Sequence, residues 1–341
     1  MVDRPTIADL ARKAGVSVAT VDRVINRRLP VRGDTATRVI AAAEAIGFHA
    51  AGLLKKRVAE LPKRRLGFLL QKNDTFYQHF GHELIVAATQ SNEMEARPIV
   101  EYMETVAPAY VAQRLIEMAP KVDALAVVAM EHPLVIQALE KIALKRKPAF
   151  SLLASINSTA CNGFLGLDGN KIGRIAGWTV SRLAKKPGKV CILVGSRNYI
   201  NQELADINFR SYMRQHAPQF ELLDSAVNLD DVEIAYEAVS KAIAQHDDLV
   251  AVYVSGGGQD GLIRALRECG PKRRPIAVCN ELTPNVRAAL ADGIVDLSIR
   301  TPVELLARRV VVQMAKACAA SGTQHFPPYL PSAELYMSEN I

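Results

Sequence analysis

The side chains best suited to bind a small polar molecule follow the ends of apolar segments in the part of the chain after residue 65. Two aromatic residues, Phe76 and Tyr77, lie beside Asn73 and Asp74 after the first of these segments. Similar positions after later segments hold Ser155, Asn198, Gln259, Asp260, Asn280, Glu281 and Arg300. Hydrogen-bonding groups next to aromatic rings suit a hydroxyl-rich ligand such as a sugar or polyol. Loops at strand ends are polar in most proteins, so each residue taken singly is more readily explained as structural.

The segment His79-Phe80-Gly81-His82-Glu83 is the most metal-like in the chain, with two histidines three residues apart. It matches neither the H-E-x-x-H nor the H-x-x-E-H order of zinc enzymes, so we expect surface or ligand contacts there. The chain has no G-x-x-x-x-G-K-[ST] phosphate loop and no G-x-S-x-G nucleophile elbow. Asp168 directly follows an apolar strand and is predicted to make structural hydrogen bonds rather than to act as a general base. The sequence therefore predicts neither an enzyme nor a bound cofactor or metal.

A second kind of chemistry, contact with nucleic acid, is concentrated in the first 65 residues. They hold fourteen Lys or Arg and six Asp or Glu, a net charge of +8, whereas the rest of the chain carries −1. A basic segment on a near-neutral body is expected of a domain that binds a polyanion. A solvated basic tail is the alternative, and the helical periodicity of the segment argues against it.

The basic segment has the signals of three short helices. Thr6 and Asp9 form the pattern of a capping box at the start of the first helix, and Gly15 marks its end. Ser17 is the expected N-cap of the second helix, and a third helix is predicted from Asp34 to Ile46. Two helices joined by a short corner containing glycine predict a helix-turn-helix, whose second helix enters the major groove of DNA. An unrelated helical hairpin is the alternative on periodicity alone.

The run from Thr6 to Asn26, TIADLARKAGVSVATVDRVIN, resembles the start of proteins of the lac repressor family. Their pattern is T-[IL]-x-D-[VL]-A-x-x-A-G-V-S-x-x-T-V-S-R-V-[IL]-N. The resemblance implies a regulator that binds operator DNA as a homodimer, with Val18, Ala19 and Arg23 where the family reads bases. The residues expected at DNA are Thr6, Ser17, Val18, Ala19, Thr20, Asp22, Arg23, Asn26, Arg28, Leu54, Arg57 and Val58.

Two departures from this family pattern affect the expected DNA contacts. Asp22 stands where the family has serine, so it is expected to orient Arg23 or to discriminate among operators. The family's hinge helix inserts a leucine into the minor groove, but Arg57 occupies or adjoins that position here. Leu54 or Val58 is then the candidate wedge between base pairs.

From residue 66 onward, apolar strands alternate with helical stretches in two successive series. This pattern predicts an α/β protein, with a three-helix head followed by two doubly wound parallel-sheet lobes. The resemblance implies the core of a type I periplasmic binding protein, with its ligand between the lobes. We predict a head over 1–49, a hinge over 50–65 and an effector-binding core over 66–341. Within the core we expect an N-lobe of about 66–167 and 294–322, and a C-lobe of about 168–293 and 323–341.

These features predict a sequence-specific transcriptional regulator whose operator affinity is controlled by a small effector. Most members of the family are repressors, so repression with release by the effector is expected. The effector is expected to be a sugar, a polyol or a sugar acid, and the acidic option depends on Arg300. A solute-binding protein for uptake is the alternative, and an enzyme is a more distant one. The basic head and the lack of an export signal argue against uptake.

The remaining composition predicts a cytoplasmic, nucleoid-associated protein. No apolar run reaches the roughly 18 residues of a membrane span. The five cysteines are odd in number and never spaced C-x-x-C, which fits reduced thiols rather than a disulfide frame. The last eleven residues lack a heptad repeat, so a tetramerising tail is not expected beyond the homodimer.

Overall fold

The computed structural model describes residues 5–26, 31, 33–52, 61–71, 74–320 and 323–341. The chain divides into two compact units, one of Met1–Arg64 with Ala88–Arg97, the other of Arg65–Ala87 with Pro98–Ile341. Five of the predicted site residues lie outside the described residues: Arg28, Leu54, Arg57, Val58 and Asn73.

The head consists of helices α1 (Ile7–Ala14), α2 (Val18–Asn26) and α3 (Gly33–Ala45). The predicted capping box is present at the start of α1. The Thr6 hydroxyl accepts a hydrogen bond from the Asp9 amide, and the Asp9 carboxylate accepts one from the Thr6 amide at 3.0 Å. This exchange satisfies two amide donors that the first helical turn leaves without partners.

A tight corner joins α1 to α2. Gly15 adopts φ of 65°, and its amide reaches the carbonyls of Ala11 and Arg12, which ends α1. Ser17 Oγ accepts a hydrogen bond from the Thr20 amide at 3.1 Å and thereby caps α2. All three helices contribute to one buried cluster, formed by Leu10, Ala11, Ala14, Val21, Val24, Ala36, Val39, Ala42, Ala43 and Phe48.

The N-lobe is built on a five-stranded sheet with the strand order β2-β1-β3-β4-β5. Its strands are β1 (Lys63–Leu70), β2 (Glu95–Tyr102), β3 (Ala124–Val127), β4 (Ala149–Leu152) and β5 (Gly163–Leu165). Helices α4 (Thr75–Thr89), α5 (Pro108–Met118) and α6 (Pro133–Leu144) alternate with them. The β1–β3, β3–β4 and β4–β5 pairs are parallel. Both β3 and β4 are buried along their whole length, as central strands of a parallel sheet are.

The C-lobe is built on a second sheet with the order β12-β11-β10-β9-β6-β7, and β8 pairs with β6. Its strands are β6 (Lys189–Val194), β7 (Glu221–Leu222), β8 (Ala226–Val227), β9 (Leu249–Val254), β10 (Ile276–Asn280), β11 (Leu297–Arg300) and β12 (Glu334–Tyr336). Its helices are α7 (Gly169–Leu183), α8 (Ile200–His216), α9 (Val232–Gln245), α10 (Gln259–Glu268) and α11 (Pro284–Ala291). All pairs are parallel except β11–β12. The predicted α/β architecture with parallel sheets is confirmed.

The predicted lobe boundary near residue 294 is wrong. Strand β11 pairs with β10 in the C-lobe sheet, with Val278 opposite Leu297, so residues 297–300 belong to the C-lobe. The chain crosses after Arg300, and α12 (Val303–Ala319) packs against β3 of the N-lobe. An apolar pattern predicts a strand, but it does not tell which of two sheets the strand joins.

The segment after α12 also departs from the prediction, which placed residues 323–341 in the C-lobe. Tyr329 bridges to Leu165 at the edge of the N-lobe sheet, and the amide of Phe326 donates to the carbonyl of Asn162. The chain returns to the C-lobe only with β12, which pairs antiparallel with β11. The two lobes are therefore joined at three places along the chain.

Helices α7 and α8 approach each other closely, and this approach positions one wall of the site described below. A Cβ atom on Gly173 would lie 2.0 Å from the carbonyl oxygen of Ala205. Only glycine leaves room for backbone at that distance. Among the described residues, no helix is long and apolar enough to cross a membrane.

Candidate functional site

A cavity of about 320 Å³ lies between the two lobes, at the carboxyl ends of their strands. Gln71 follows β1 and Leu153 follows β4 on the N-lobe side, whereas Ser255 follows β9 and Glu281 follows β10 on the C-lobe side. Ligands of open α/β sheets bind at this edge, because the connections that leave the strands there are free to diverge. The volume is at the lower end of the range for small-molecule sites.

Seven of the residues predicted to bind an effector line this cavity: Asp74, Phe76, Tyr77, Gln259, Asp260, Asn280 and Glu281. Asp74 Oδ1 accepts a hydrogen bond from the Tyr77 amide at 2.9 Å at the start of α4. The rings of Phe76 and Tyr77 meet edge to face with centroids 5.1 Å apart. The Gln259 amide group donates to the carbonyls of Gly256 and Asn280, at 3.0 and 2.7 Å. Effector binding by these residues stays a prediction.

The structure places three other predicted residues outside the lining of the cavity. The Asn198 side-chain amide lies 3.9 Å from the sulfur of Met130. The backbone amide of Ser155 donates to Asn201 Oδ1 at 3.1 Å, and it is Asn201 that lines the cavity. Position after a strand brings a residue to the correct edge of the sheet but does not fix the direction of its side chain.

Arg300, on which the acidic-effector prediction depended, is the third of these residues. Its guanidinium forms ion pairs with Glu304 and Glu334, and its side chain is 16% exposed. The imidazole of His79 lies 3.2 Å from Glu304 Oε1 and joins the same cluster. The positive charge of Arg300 is thus shared by two carboxylates of the protein.

Several lining residues escaped the sequence prediction: Gln71, Thr75, Leu153, Leu167, Asn201, Gln202, Asp230, Val232, Ser255, Thr283, Asn285 and Thr301. Asn201 and Gln202 lie in the first turn of α8, which begins at Ile200, and the strand-end pattern did not point to them. Asp230 follows β8, so the strand-end argument applied to the other residues would have found it.

Glu281 is the most perturbed acid of the cavity. Burial raises the pKa of its carboxyl group to about 7, although hydrogen bonds from Thr301 oppose this rise. The Thr301 amide donates to Oε2 at 3.1 Å, and the Thr301 hydroxyl donates to Oε1. Near neutral pH, Glu281 can therefore either donate or accept a proton in a hydrogen bond.

Carboxylates from both lobes surround the phenol of Tyr77. Burial raises the pKa of Tyr77 well above its ordinary value, and the nearby Tyr199, Asp230, Asp74 and Glu281 raise it further. Asp260 also lines the cavity, whereas no lysine or arginine is found among the described lining residues. Carboxylates accept hydrogen bonds and repel anions. The described lining therefore suits a ligand with many hydroxyl donors.

Helix α2 presents the candidate DNA-reading residues of the head. Val18 is 52% exposed, and Ala19, Arg23 and Asn26 are exposed as well. Asp22 Oδ1 accepts a hydrogen bond from the Asn26 amide group at 2.6 Å. This contact ties Asp22 to the residue one turn further on. Its expected roles, orienting Arg23 or discriminating among operators, stay predictions.

The remaining polar groups of the head support its local structure. The hydroxyls of Ser17 and Thr20 lie 2.9 Å apart at the start of α2. Arg12 forms an exposed ion pair with Asp9 at 3.3 Å. Hydrogen bonds from Thr6 hold the pKa of Asp9 below its usual value. Base contact by Thr6, Ser17, Val18, Ala19, Thr20, Asp22, Arg23 and Asn26 stays a prediction.

Two further residues considered for chemistry have structural partners. Asp168 caps α7 through the Asn170 amide at 3.0 Å. His79 contacts Glu304 as described, and within the described part of the chain no three His, Cys, Asp or Glu side chains are grouped so as to hold a metal ion.

Comparison with known protein families gives two matches. Residues 70–323 match the periplasmic binding protein domain, and residues 6–50 match the model of bacterial regulatory proteins, lacI family. No curated protein sequence matches the chain.

The body is also similar in structure to solute-binding proteins of ABC transporters. One from Agrobacterium vitis, bound with α-D-tagatopyranose, has a TM-score of 0.73 at 17% identity, over 81% of this chain and 95% of that one. Another from Burkholderia graminis, in complex with D-arabinose, has a TM-score of 0.74 at 12% identity, over 83% and 98%. A third from Bacillus halodurans, with bound myo-inositol, has a TM-score of 0.71 at 15% identity, over 83% and 97%. At these identities the similarity establishes the fold.

Proposed function

Because this chain belongs to the periplasmic binding protein domain family and carries a lacI-family regulatory domain, we propose that it is a transcriptional repressor controlled by a neutral sugar or polyol. The observation that carries the proposal is one chain holding both a basic helix-turn-helix head and a polar cavity between two lobes. A protein that only captures solutes needs no such head. Proteins of these two families are in general not enzymes.

The composition of the cavity supports a neutral effector. Its described lining carries Asp74, Asp230, Asp260 and Glu281 as acceptors, together with the rings of Phe76 and Tyr77. Sugar hydroxyls donate to carboxylates, and the apolar face of a sugar ring packs on aromatic side chains. The sugar-acid alternative loses its basis, because Arg300 is already paired with Glu304 and Glu334.

The effector controls operator binding because it binds the two arrangements of the lobes with different affinities. An effector that binds the closed arrangement of the lobes more tightly than the open one shifts the population toward the closed one. In a homodimer, lobe closure changes how the two heads present themselves to the half-sites of an operator. By linkage, an effector that weakens operator binding must itself bind less tightly to the operator-bound protein.

The DNA-binding part of the proposal is tested by selection from a random duplex pool, followed by binding measurements on the enriched sequence. We expect a two-fold symmetric site, bound about 10³-fold or more tightly than random DNA, with affinity falling steeply as salt rises. Equal affinity for the enriched and the random duplex would contradict it.

The effector part is tested with a sugar panel of D-tagatose, D-arabinose, D-fucose, D-allose and myo-inositol, the ligands of structurally similar binding proteins. D-Gluconate serves as the acidic comparator. We expect at least one neutral sugar of the panel to raise the melting temperature of the protein and to change its affinity for the operator. Gluconate should change neither. Sugar binding without any DNA binding would favour a solute-binding protein instead.

A further inference from the structure

Asp230 occupies an unusual position in the wall of the cavity. It follows β8 and adopts φ of 55°, in the left-handed region that non-glycine residues rarely occupy. A residue with this backbone conformation is strained, and contacts with the surrounding structure must hold it there. The residue lines the cavity and was not singled out by the sequence pattern.

Glycines at the ends of two neighbouring strands make the space for this carboxylate. A Cβ atom on Gly195, directly after β6, would lie 2.0 Å from Asp230 Oδ1. One on Gly256, after β9, would lie 2.5 Å from the same oxygen, and one on Gly257 would lie 2.8 Å from the Asp230 Cβ. Any side chain at these three positions would displace Asp230. We call these three residues the glycine cage.

Hydrogen bonds fix the carboxylate inside the glycine cage. Asp230 Oδ1 accepts from the Gly257 amide at 2.6 Å and from the Gln202 side-chain amide at 3.5 Å. The other end of the Gln202 side chain accepts from the amides of Gly195 and Ser196, at 2.8 and 3.1 Å. The connections after β6, β8 and β9 thus meet at one acidic side chain, which is oriented before any ligand arrives.

We propose that Asp230 is the specificity-determining residue of the cavity and that its carboxylate accepts a hydrogen bond from a hydroxyl group of a neutral polyhydroxylated ligand. The inference rests on the proposed function, since it assumes that the cavity holds the effector. A carboxylate offers about four acceptor positions and no donor. A ligand group that contacts this carboxylate must therefore be a hydrogen-bond donor.

The substitution Asp230→Asn tests the direction of this hydrogen bond. To keep the Gly257 amide satisfied, Oδ1 of the new side chain stays in place, which puts an NH₂ group where Oδ2 was. A donor then faces the ligand's hydroxyl, and asparagine tolerates the left-handed conformation. Asp224→Asn, an exposed residue in the connection between β7 and β8, is the matched control.

The measurement is calorimetric binding of the tightest member of the sugar panel to the full chain. We expect affinity to fall on the order of 10- to 100-fold in Asp230→Asn and to stay within twofold in Asp224→Asn. Equal binding by wild type and Asp230→Asn overturns the inference and leaves the proposed function intact. Absence of binding by wild type to every panel member overturns the proposed effector class and the inference with it.

A second measurement tests the position of Asp230 without any ligand. Gly195→Ala is expected to lower the melting temperature, because its Cβ meets Asp230 Oδ1. The double substitution Gly195→Ala with Asp230→Gly removes that oxygen while glycine keeps the positive φ. We therefore expect the double variant to melt at a higher temperature than the sum of the two single effects predicts. Strictly additive effects would mean that the carboxylate does not occupy the glycine cage and would overturn the inference.

Discussion

The carboxylate of Glu281 accepts hydrogen bonds from both the amide and the hydroxyl of Thr301. Glu281 is the first residue after β10 and lies in the wall of the cavity. Thr301 is the first residue after β11, where the chain leaves the C-lobe. A partly buried acid is thus tied to the connection between the lobes. A change in its charge or its contacts reaches that connection directly.

The raised pKa of Glu281 predicts a pH dependence of stability. Its folded-state pKa of about 7 lies above the 4.5 of an ordinary glutamate. Between these values the folded protein holds a proton that the unfolded chain releases, so the free energy of unfolding falls as pH rises from about 4.5 to 7. Glu281→Gln removes this contribution, and the difference between wild type and variant should shrink over the same range by about 1–3 kcal/mol.

Urea unfolding at several pH values provides the measurement, with Glu237→Gln as an exposed control. The control should follow wild type at every pH. A constant difference between wild type and Glu281→Gln from pH 4.5 to 7 would show that the folded-state pKa is ordinary.

The ion pairs of Arg300 predict a structural rather than a ligand-binding role. Arg300→Ala leaves Glu304 and Glu334 side by side without their shared cation, and the partly buried site cannot be fully hydrated. We expect a loss of about 2–4 kcal/mol in the free energy of unfolding. Arg264→Ala breaks the more exposed pair with Glu233 and should cost less than about 1 kcal/mol. Undiminished stability of Arg300→Ala together with lost sugar binding would instead assign Arg300 to the ligand.

The close approach of α7 and α8 predicts that replacing a helical glycine with alanine will destabilise the protein, whereas this substitution ordinarily stabilises a helix. Alanine in place of glycine inside a helix ordinarily stabilises it by about 1 kcal/mol. At Gly173 the added Cβ meets the Ala205 carbonyl at 2.0 Å, so Gly173→Ala should destabilise the protein by about 2 kcal/mol or more. Sugar affinity should fall too, because α8 carries Asn201 and Gln202 into the cavity wall.

Gly177→Ala is the comparison for this prediction, measured by the same thermal and chemical unfolding. Its Cβ would lie 3.0 Å from the Tyr212 ring, a side chain that can adjust. We expect Gly177→Ala to lower the free energy of unfolding by less than Gly173→Ala does. Stabilisation by both substitutions would mean that the helices are further apart than described.

Arg23 is exposed on α2 and is expected to read a base. Its removal should therefore reduce the protein's discrimination between the operator and random DNA. If its guanidinium reads a base, Arg23→Ala costs about 1–3 kcal/mol on the selected operator and much less on random DNA. Arg308→Ala, an exposed cation of the body, should leave both affinities unchanged. An equal loss on both duplexes would reduce Arg23 to a phosphate contact.

The sequence predicted most of the elements and the edge of the sheets at which the cavity lies. The capping pair Thr6 and Asp9, the corner at Gly15 and the cap at Ser17 are local features, and local features are readable from neighbouring residues. Asp74 and Gln259 reach the cavity because they lie at the starts of the helices that follow β1 and β9.

Other features depend on contacts between distant parts of the chain, and the sequence could not supply them. The pairing of Arg300 with Glu334 requires knowing that β12 returns to β11. The orientation of Asp230 depends on Gly195 and Gly257, which lie 35 residues before it and 27 residues after it. Hydrophobic periodicity carries no information on contacts between distant elements, because it describes one helix or strand at a time.

The three connections between the lobes lie side by side. Leu165 is bridged to Tyr329 where the first and third connections leave the N-lobe. Arg300 is paired with Glu334 where the second connection leaves the C-lobe and the third enters it. Strands coupled in this way can bend together, but they resist twisting or sliding of one lobe against the other. The lobes then have essentially one degree of freedom. If an effector closes the lobes as proposed, effectors of different chemistry would use the same movement, so ligand selectivity could evolve by changes in the cavity wall alone.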